Sequence, residues 1–203
     1  LIDFRGFRLV AESVLPISGQ STLVAGSQNA GVSVVDCSPR FKNTLGELGK
    51  LLNLRSHSWN DGGEKRATVF TALDTEAHEG LDGRLYLLDL SRTFPPEGPP
   101  TPRFKCSYLF RLLRPEFVKR YRVPLCPDAF SNFIPSEEAK QANADVIEAT
   151  NFLKGQVIPK FAKTLVHDLV CDAMVRGELA EFQLKTEMHS RGINVRFCGL
   201  VFK

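Results

Sequence analysis

Five of the eight residues from Pro95 to Pro102 are proline, and this run constrains the fold more than any other stretch of the chain. Each proline holds φ at about −65° and lacks an amide donor, so neither a helix nor the interior of a sheet can pass through it. The composition predicts an extended surface connection over 95–102. On either side the hydrophobic periodicity differs, which predicts a single α+β domain over 1–203: a strand-rich part over about 1–94, then a mainly helical part over 103–203.

Before the prolines, "GFRLVAESVLPI" and "STLVAGS" are apolar and β-branched, and "SQNAG" supplies turn formers ahead of "VSVVD". Three or four antiparallel strands fit there. Phe41, Leu45, Leu48, Leu51 and Leu52 recur at three- and four-residue spacing, which predicts an amphipathic helix over about 40–53. "SHSWNDGGEKR" reads as a polar loop, with Trp59 either a docking residue or a plug. "ATVFTAL" resumes as a short strand, and Asp82-Gly83 ahead of "RLYLL" marks the end of a β-hairpin.

After the prolines, "SYLFRLLRPEFVKRY" predicts one or two helices split at Pro115, which suits a first-turn position. Three more helices are expected across 136–192. There Val157, Phe161, Leu165 and Leu169 repeat every four residues, Pro159 opens a new helix or kinks a long one, and Gly192 stops the last. "INVRFCGLVF" reads as a closing strand.

The net charge of +3 is too small to argue by itself for nucleic acid. No run approaches the roughly 18 apolar residues of a membrane helix and no leader precedes the first strand, so a soluble, non-secreted protein without membrane insertion is expected. Cys37, Cys106, Cys126, Cys171 and Cys198 are odd in number, widely separated and without zinc-like spacing. They predict reduced thiols in the cytosol. The start at Leu1, without Met and inside an apolar run, reads as the edge of a piece of something longer.

Two groups of residues carry candidate chemistry. Asp74, Glu76 and His78 alternate and would share one face of an extended segment, followed closely by Asp82, Asp89 and Arg92. Such a set could ligate a metal, tune a general base, or hydrogen-bond its own loop and pair with Arg84, Arg92, Arg111 or Arg114 to anchor strand to helix. The last reading is the simplest, because no nucleophile, oxyanion hole or complete ligand set accompanies it. "DGRLYLLDLSR" also has the look of a kinase-like strand ending in a magnesium-holding Asp, here Asp89, which keeps a degenerate two-lobe kinase-like arrangement open. No glycine-rich phosphate loop, strand lysine or catalytic loop supports it.

The second group is basic: Arg103, Lys105, Arg111, Arg114, Lys119, Arg120 and Arg122 alternate with Phe104, Tyr108, Phe110, Phe117 and Tyr121. Cations for phosphates beside rings for unpaired bases would suit RNA, whereas helical spacing would send those rings into the core.

Six segments, "LIDFRGFRLVAESVLPI", "GSQNAG", "DTEAHEGLDGRLYLLDLSRTFPPE", "YLFRLLRPEFVKRYRVPLCPDAF", "EATNFLKGQVIPKFA" and "HSRGINVRFCG", occur in order along the chain. In this order and spacing the chain resembles the central domain of clustered-mitochondria (CLU) proteins. The most specific parts are D-x-E-x-H-x-G-x-D-G-R running into PPE, L-L-R-P-E-F, and H-x-x-G-I-N-x-R. The resemblance implies a cytoplasmic protein with a role in mitochondrial distribution. It also implies binding of messenger RNAs for mitochondrial proteins, association with ribosomes or translation initiation factors, and contact with flanking domains of a longer parent chain. It implies no cofactor and carries over no catalytic residue. Three functional classes stay open: a noncatalytic RNA- or protein-binding module, a divergent kinase-like phosphotransferase or nucleotide-binding pseudoenzyme, and an intramolecular scaffold.

Overall fold

The computed structural model describes residues 1–29, 35, 39–59, 68–99, 101, 104, 106–176 and 183–203. Arg103, Lys105 and most of "VSVVD" lie outside them, as does the Gly62-Gly63 loop. The class is α+β, strands first and helices after.

Strands β1 (Ile2–Phe4) and β2 (Phe7–Leu9) form a two-stranded hairpin through a turn in which both Arg5 and Gly6 have positive φ. Ile2, Phe4, Phe7 and Leu9 all stay exposed. A short helix, α1 (Gly19–Thr22), leads into β3 (Leu23–Ala25). Helix α2 (Pro39–Leu51) follows where the periodicity puts it, burying Phe41 and Leu45. Asn53 ends α2 in the left-handed conformation: its amide reaches the Lys50 carbonyl at 3.1 Å, and the Leu54 amide reaches Gly49 at 2.8 Å. Asn is one of the few side chains that tolerate that position. Strands β4 (His57–Ser58) and β5 (Thr68–Val69) make a minimal antiparallel pair, with Trp59 buried at its end.

The predicted hairpin is β6 (Glu76–Glu79) with β7 (Leu85–Leu88), turning at Gly83 with positive φ. Strand β3 adds to β6, giving the order β3-β6-β7. Ala25 and Ala77 from this sheet pack on Phe41 and Leu45 of α2.

Beyond β7 the proline run departs from expectation. Pro95, Pro96, Glu97 and Gly98 are buried, not laid on the surface. The Glu97 amide donates to Arg111 and the Leu113 amide to Pro95, so 95–97 and 111–113 run side by side as extended chain. Gly98 donates to the Thr150 hydroxyl at 2.9 Å. Two consecutive prolines can enter the core because neither carries an amide that burial would leave unbonded. The same pairing accounts for the missing helix over 107–114. Those residues hold only a 3₁₀ turn, Ser107–Leu109, because 111–113 are committed to the prolines and Arg114 is extended ahead of Pro115. Pro115 does open a helix, the single turn α3 (Pro115–Val118).

Helix α4 (Ser136–Phe152) continues through one π turn, Leu153–Val157, into α5 (Ile158–Arg176). Pro159 therefore neither opens a separate helix nor breaks the long one. The wider turn just before it absorbs the missing amide and the bulk of the ring. Helix α6 (Leu184–Ser190) is stopped by Gly192, with Gly192 N–H bonded to His189 and Ile193 N–H to Met188, both at 2.8 Å. This is the doubled bond pattern of a glycine-terminated helix. The expected closing strand is instead a 3₁₀ turn, Val195–Phe197, and helix α7 (Cys198–Val201), because Asn194 caps the turn by accepting from the Arg196 amide. The main core runs through this half: Phe117, Val118, Leu125, Val146, Leu153, Ile158, Phe161, Met188, Ile193 and Phe197 among others.

Gly192 combines positive φ with crowding, since a Cβ there would sit 2.5 Å from Phe117 backbone and side-chain atoms. Gly192→Ala is expected to destabilise the domain by about 2 kcal/mol or more, read as a lower urea midpoint at unchanged slope.

Candidate functional site

The acidic stretch does not converge on one open face. Asp74 lies in the turn before β6 and takes a two-point bond from Arg92, Nε to Oδ2 at 2.7 Å and Nη2 to Oδ1 at 2.9 Å. Glu76 and His78 do share a face: the His78 ring is buried, with Nε2 3.1 Å from Glu76 Oε2 and Nδ1 3.0 Å from the Thr22 hydroxyl. That contact ties β6 to the α1–β3 corner. Asp82 stays at the exposed hairpin tip, accepting from the Tyr86 hydroxyl at 2.8 Å and the Arg84 amide at 3.2 Å. The Tyr86 hydroxyl, first among these partners, lowers the pKa of Asp82. Asp89 is exposed in the left-handed conformation and accepts from Ser91 at 3.2 Å. Among the described residues, no group of three or more His, Cys, Asp or Glu side chains is arranged to hold a metal ion.

Arg92 opens a deeper network that the sequence did not announce. Its guanidinium is buried and also reaches Asp128 Oδ1 at 2.9 Å. Asp128, fully buried in the loop before α4, accepts on Oδ2 from His57 Nε2 at 3.0 Å and from the Leu73 amide at 2.9 Å. Burial pushes the His57 pKa down, but Asp128, with Cys126 beside it, outweighs that and raises it to about 10. Two cations, Arg92 and His57, thus meet two carboxylates, Asp74 and Asp128. His57 and Asp128 are 71 residues apart, and no local spacing links them.

The basic stretch divides in a similar way. Arg111 lies 3.5 Å from the buried Glu97 carboxylate and bonds Thr101, and Arg114 makes a two-point bond to Glu116 at 2.9 Å. Phe117 and Tyr121 enter the core, while Phe104 and Phe110 stay exposed. Lys119 is exposed. Arg120 donates to the Ser190 carbonyl at 2.6 Å, and Arg122 pairs with Glu148.

Arg120 sits at the mouth of a cleft of about 490 Å3 between α3, the α4–α5 helix and the end of α6. Lys160 and Arg191 supply two more cations to its walls, and no carboxylate lines it. Arg191 lies 5.2 Å over the Phe161 ring and pairs with Glu187 at 2.5 Å. Gln156 and Thr164 add neutral hydrogen-bonding groups, and Phe152 forms one side. Phe152, Gln156, Lys160 and Thr164 recur every four residues. This stripe runs beside the apolar Val157, Phe161 and Leu165, and could have been read from the sequence once the helix was known to be continuous.

A third cluster joins the three most specific motifs. Arg196 donates to the Leu112 carbonyl at 2.7 Å and to the Glu97 carboxylate, while Gly192 lies against Phe117. "PPE", "LLRPEF" and "GINVR" therefore meet in one place.

Residues 1–98 match the family model described as Clustered mitochondria. Over 101 residues the chain is 34% identical to the Clustered mitochondria protein homolog of Schizosaccharomyces pombe, an alignment covering 47% of this chain and 8% of that protein. It is also 34% identical to the homolog of Anopheles gambiae and 33% identical to Protein clueless of Drosophila persimilis, each time over 48% of this chain and 7% of the relative. These alignments span less than a tenth of those relatives. The family model stops short of the cleft, whose residues lie at 120 and beyond. No solved structure matches the chain.

Two outcomes are expected from the buried network. Arg92→Ala leaves Asp128 and Asp74 short of a cation and should cost about 3 to 5 kcal/mol in chemical denaturation. The folded pKa of His57 lies above its ordinary 6.5, so the stabilisation from its proton is complete below pH 6.5 and is lost as pH rises through about 10. The urea midpoint should fall over that window in the wild type and much less in His57→Gln.

Proposed function

We propose that the chain is a member of the clustered-mitochondria family, whose model residues 1–98 match, and that it takes part in mitochondrial distribution as a noncatalytic module that binds RNA. The observation behind the RNA reading is the cleft: Arg120, Lys160 and Arg191 around a cavity of about 490 Å3 with no carboxylate in its wall. Arg120 and Lys160 face one space and repel one another, while Arg191 beside them shares its charge with Glu187, and a polyanion relieves that repulsion while releasing its own counterions. The exposed Phe152 ring and the amide of Gln156 give the same wall groups suited to bases as well as to phosphates. Binding rather than chemistry fits the acidic stretch, where Asp74, Glu76, Asp82 and Asp89 are each engaged by a neighbouring side chain.

Electrophoretic or fluorescence titration of the chain with a mixed-sequence RNA at several salt concentrations tests this. Three phosphate contacts predict a log–log salt slope of about −2, at roughly −0.7 per contact for single strands. Arg120→Glu combined with Lys160→Glu should weaken binding at least tenfold and flatten the slope, while the charge reversal Arg84→Glu on the exposed hairpin should change little. Affinity indifferent to salt and to the cleft variants would rule the reading out.

A further inference from the structure

Phe152 and Arg120 hold a position that no other residue of the cleft shares. A second cavity, of about 330 Å3, is lined by Tyr121, Arg122 and Glu148, and Phe152 and Arg120 line both. We propose that Phe152 inserts between two consecutive unpaired nucleotides of a single-stranded RNA, one base in each cavity, while Arg120 meets the phosphate that links them. The proposal rests on the RNA reading of the cleft and narrows it to single strands.

The backbone explains why the ring is available. Phe152 is the last residue of α4, and the π turn begins at the next position. Leu153 and Ile158 are each 1% exposed, whereas Phe152 is 46% exposed although the core lies beside it. Its ring leans on Tyr121 at 5.8 Å between centroids, tilted by 55°, which fixes its orientation without stacking over its face. An exposed ring that borders both cavities can serve as a stacking platform. A base in the larger cavity would find Gln156 and Thr164 at its edge and Lys160 near its phosphate. The smaller cavity offers less charge, because Arg122 is already paired with Glu148.

A paired duplex cannot present two bases splayed around a ring, since its bases are stacked on each other. An acidic peptide would satisfy the cations but has no flat face for Phe152. The occupant that uses both the charge and the ring is a single strand.

The test titrates a fluorescent single-stranded RNA decamer, the same sequence as a duplex, and an acidic peptide of matched charge against the wild-type chain, Phe152→Ala, Phe152→Leu and Phe152→Tyr. The single strand should bind at least tenfold more tightly than duplex or peptide. Phe152→Ala and Phe152→Leu should each lose about tenfold or more with the salt slope unchanged, and Phe152→Tyr should recover most of the loss. Leucine keeps apolar cover over Tyr121, so a loss shared by Ala and Leu at unchanged melting temperature reports stacking and not folding. A 2-aminopurine in the strand should change its fluorescence on wild-type binding but not on binding to Phe152→Leu. If the Phe152 variants bind as the wild type does, or the duplex binds as well as the single strand, the insertion is wrong, while salt- and Arg120-dependent binding would leave the broader RNA reading standing. Tight binding of the acidic peptide with none of RNA would overturn both.

Discussion

Asp128 is the constraint on which the arrangement of the two halves depends. A carboxylate with no exposure is tolerable only if every oxygen is met, and Asp128 meets His57, the Leu73 amide and Arg92. These donors come from three separate places in the strand-rich half, and Asp128 itself belongs to the helical half. Misplacing any one of them leaves a buried charge or a buried amide unbonded, so the network fixes relative position more sharply than apolar contact could. The balance of two cations and two carboxylates also explains why His57 keeps its proton: the neutral ring would leave the cluster one charge short.

Around this knot the halves are joined by backbone. Segment 53–55 pairs with Leu125, and the Asn53 side chain donates to the Val118 and Tyr121 carbonyls, both at 2.8 Å. On the far side, the buried prolines run against 111–113, and Glu97 draws in Arg196 and Arg111. Residues 95–98 of the proline run are therefore a buried seam and not a surface connection. The missing amides of Pro95 and Pro96 are what allow them to be buried, while Glu97 is buried because two arginines reach it.

What could be read in the sequence follows the range of the forces involved. Helix α2, the β6–β7 hairpin, the Gly192 stop and the role of Pro115 all rest on contacts within a few residues, and their boundaries are close to those expected. The 107–114 segment misled because its apolar spacing permits a helix, while Arg111 and Leu113 bond instead to Glu97 and Pro95 of the earlier extended segment. The closing strand misled because "INVRF" alternates well enough, yet one Asn side chain turns it into a capped 3₁₀ turn. Within the candidate sites, Asp74 with Arg92 and Glu76 with His78 were within reach of pairing arguments. His57 and Asp128 were not, because they meet across 71 residues of chain with no local spacing to link them.

Net charge says little about where this molecule can meet an anion, because most of its arginines are occupied. Arg92, Arg111, Arg114 and Arg196 all lie against carboxylates that are buried or half-buried, and there they serve the fold. Arg120 is different: its bond is to a carbonyl, which orients the guanidinium without neutralising it. Lys160 projects from the same helix face as Phe152, one π turn and a proline further on. A modest excess of +3 thus becomes a local concentration at Arg120 and Lys160, since Glu97, Glu116 and Asp128 are drawn into ion pairs elsewhere and Glu187 pairs with Arg191. The cleft's positive character is therefore a consequence of how the fold distributes its ion pairs.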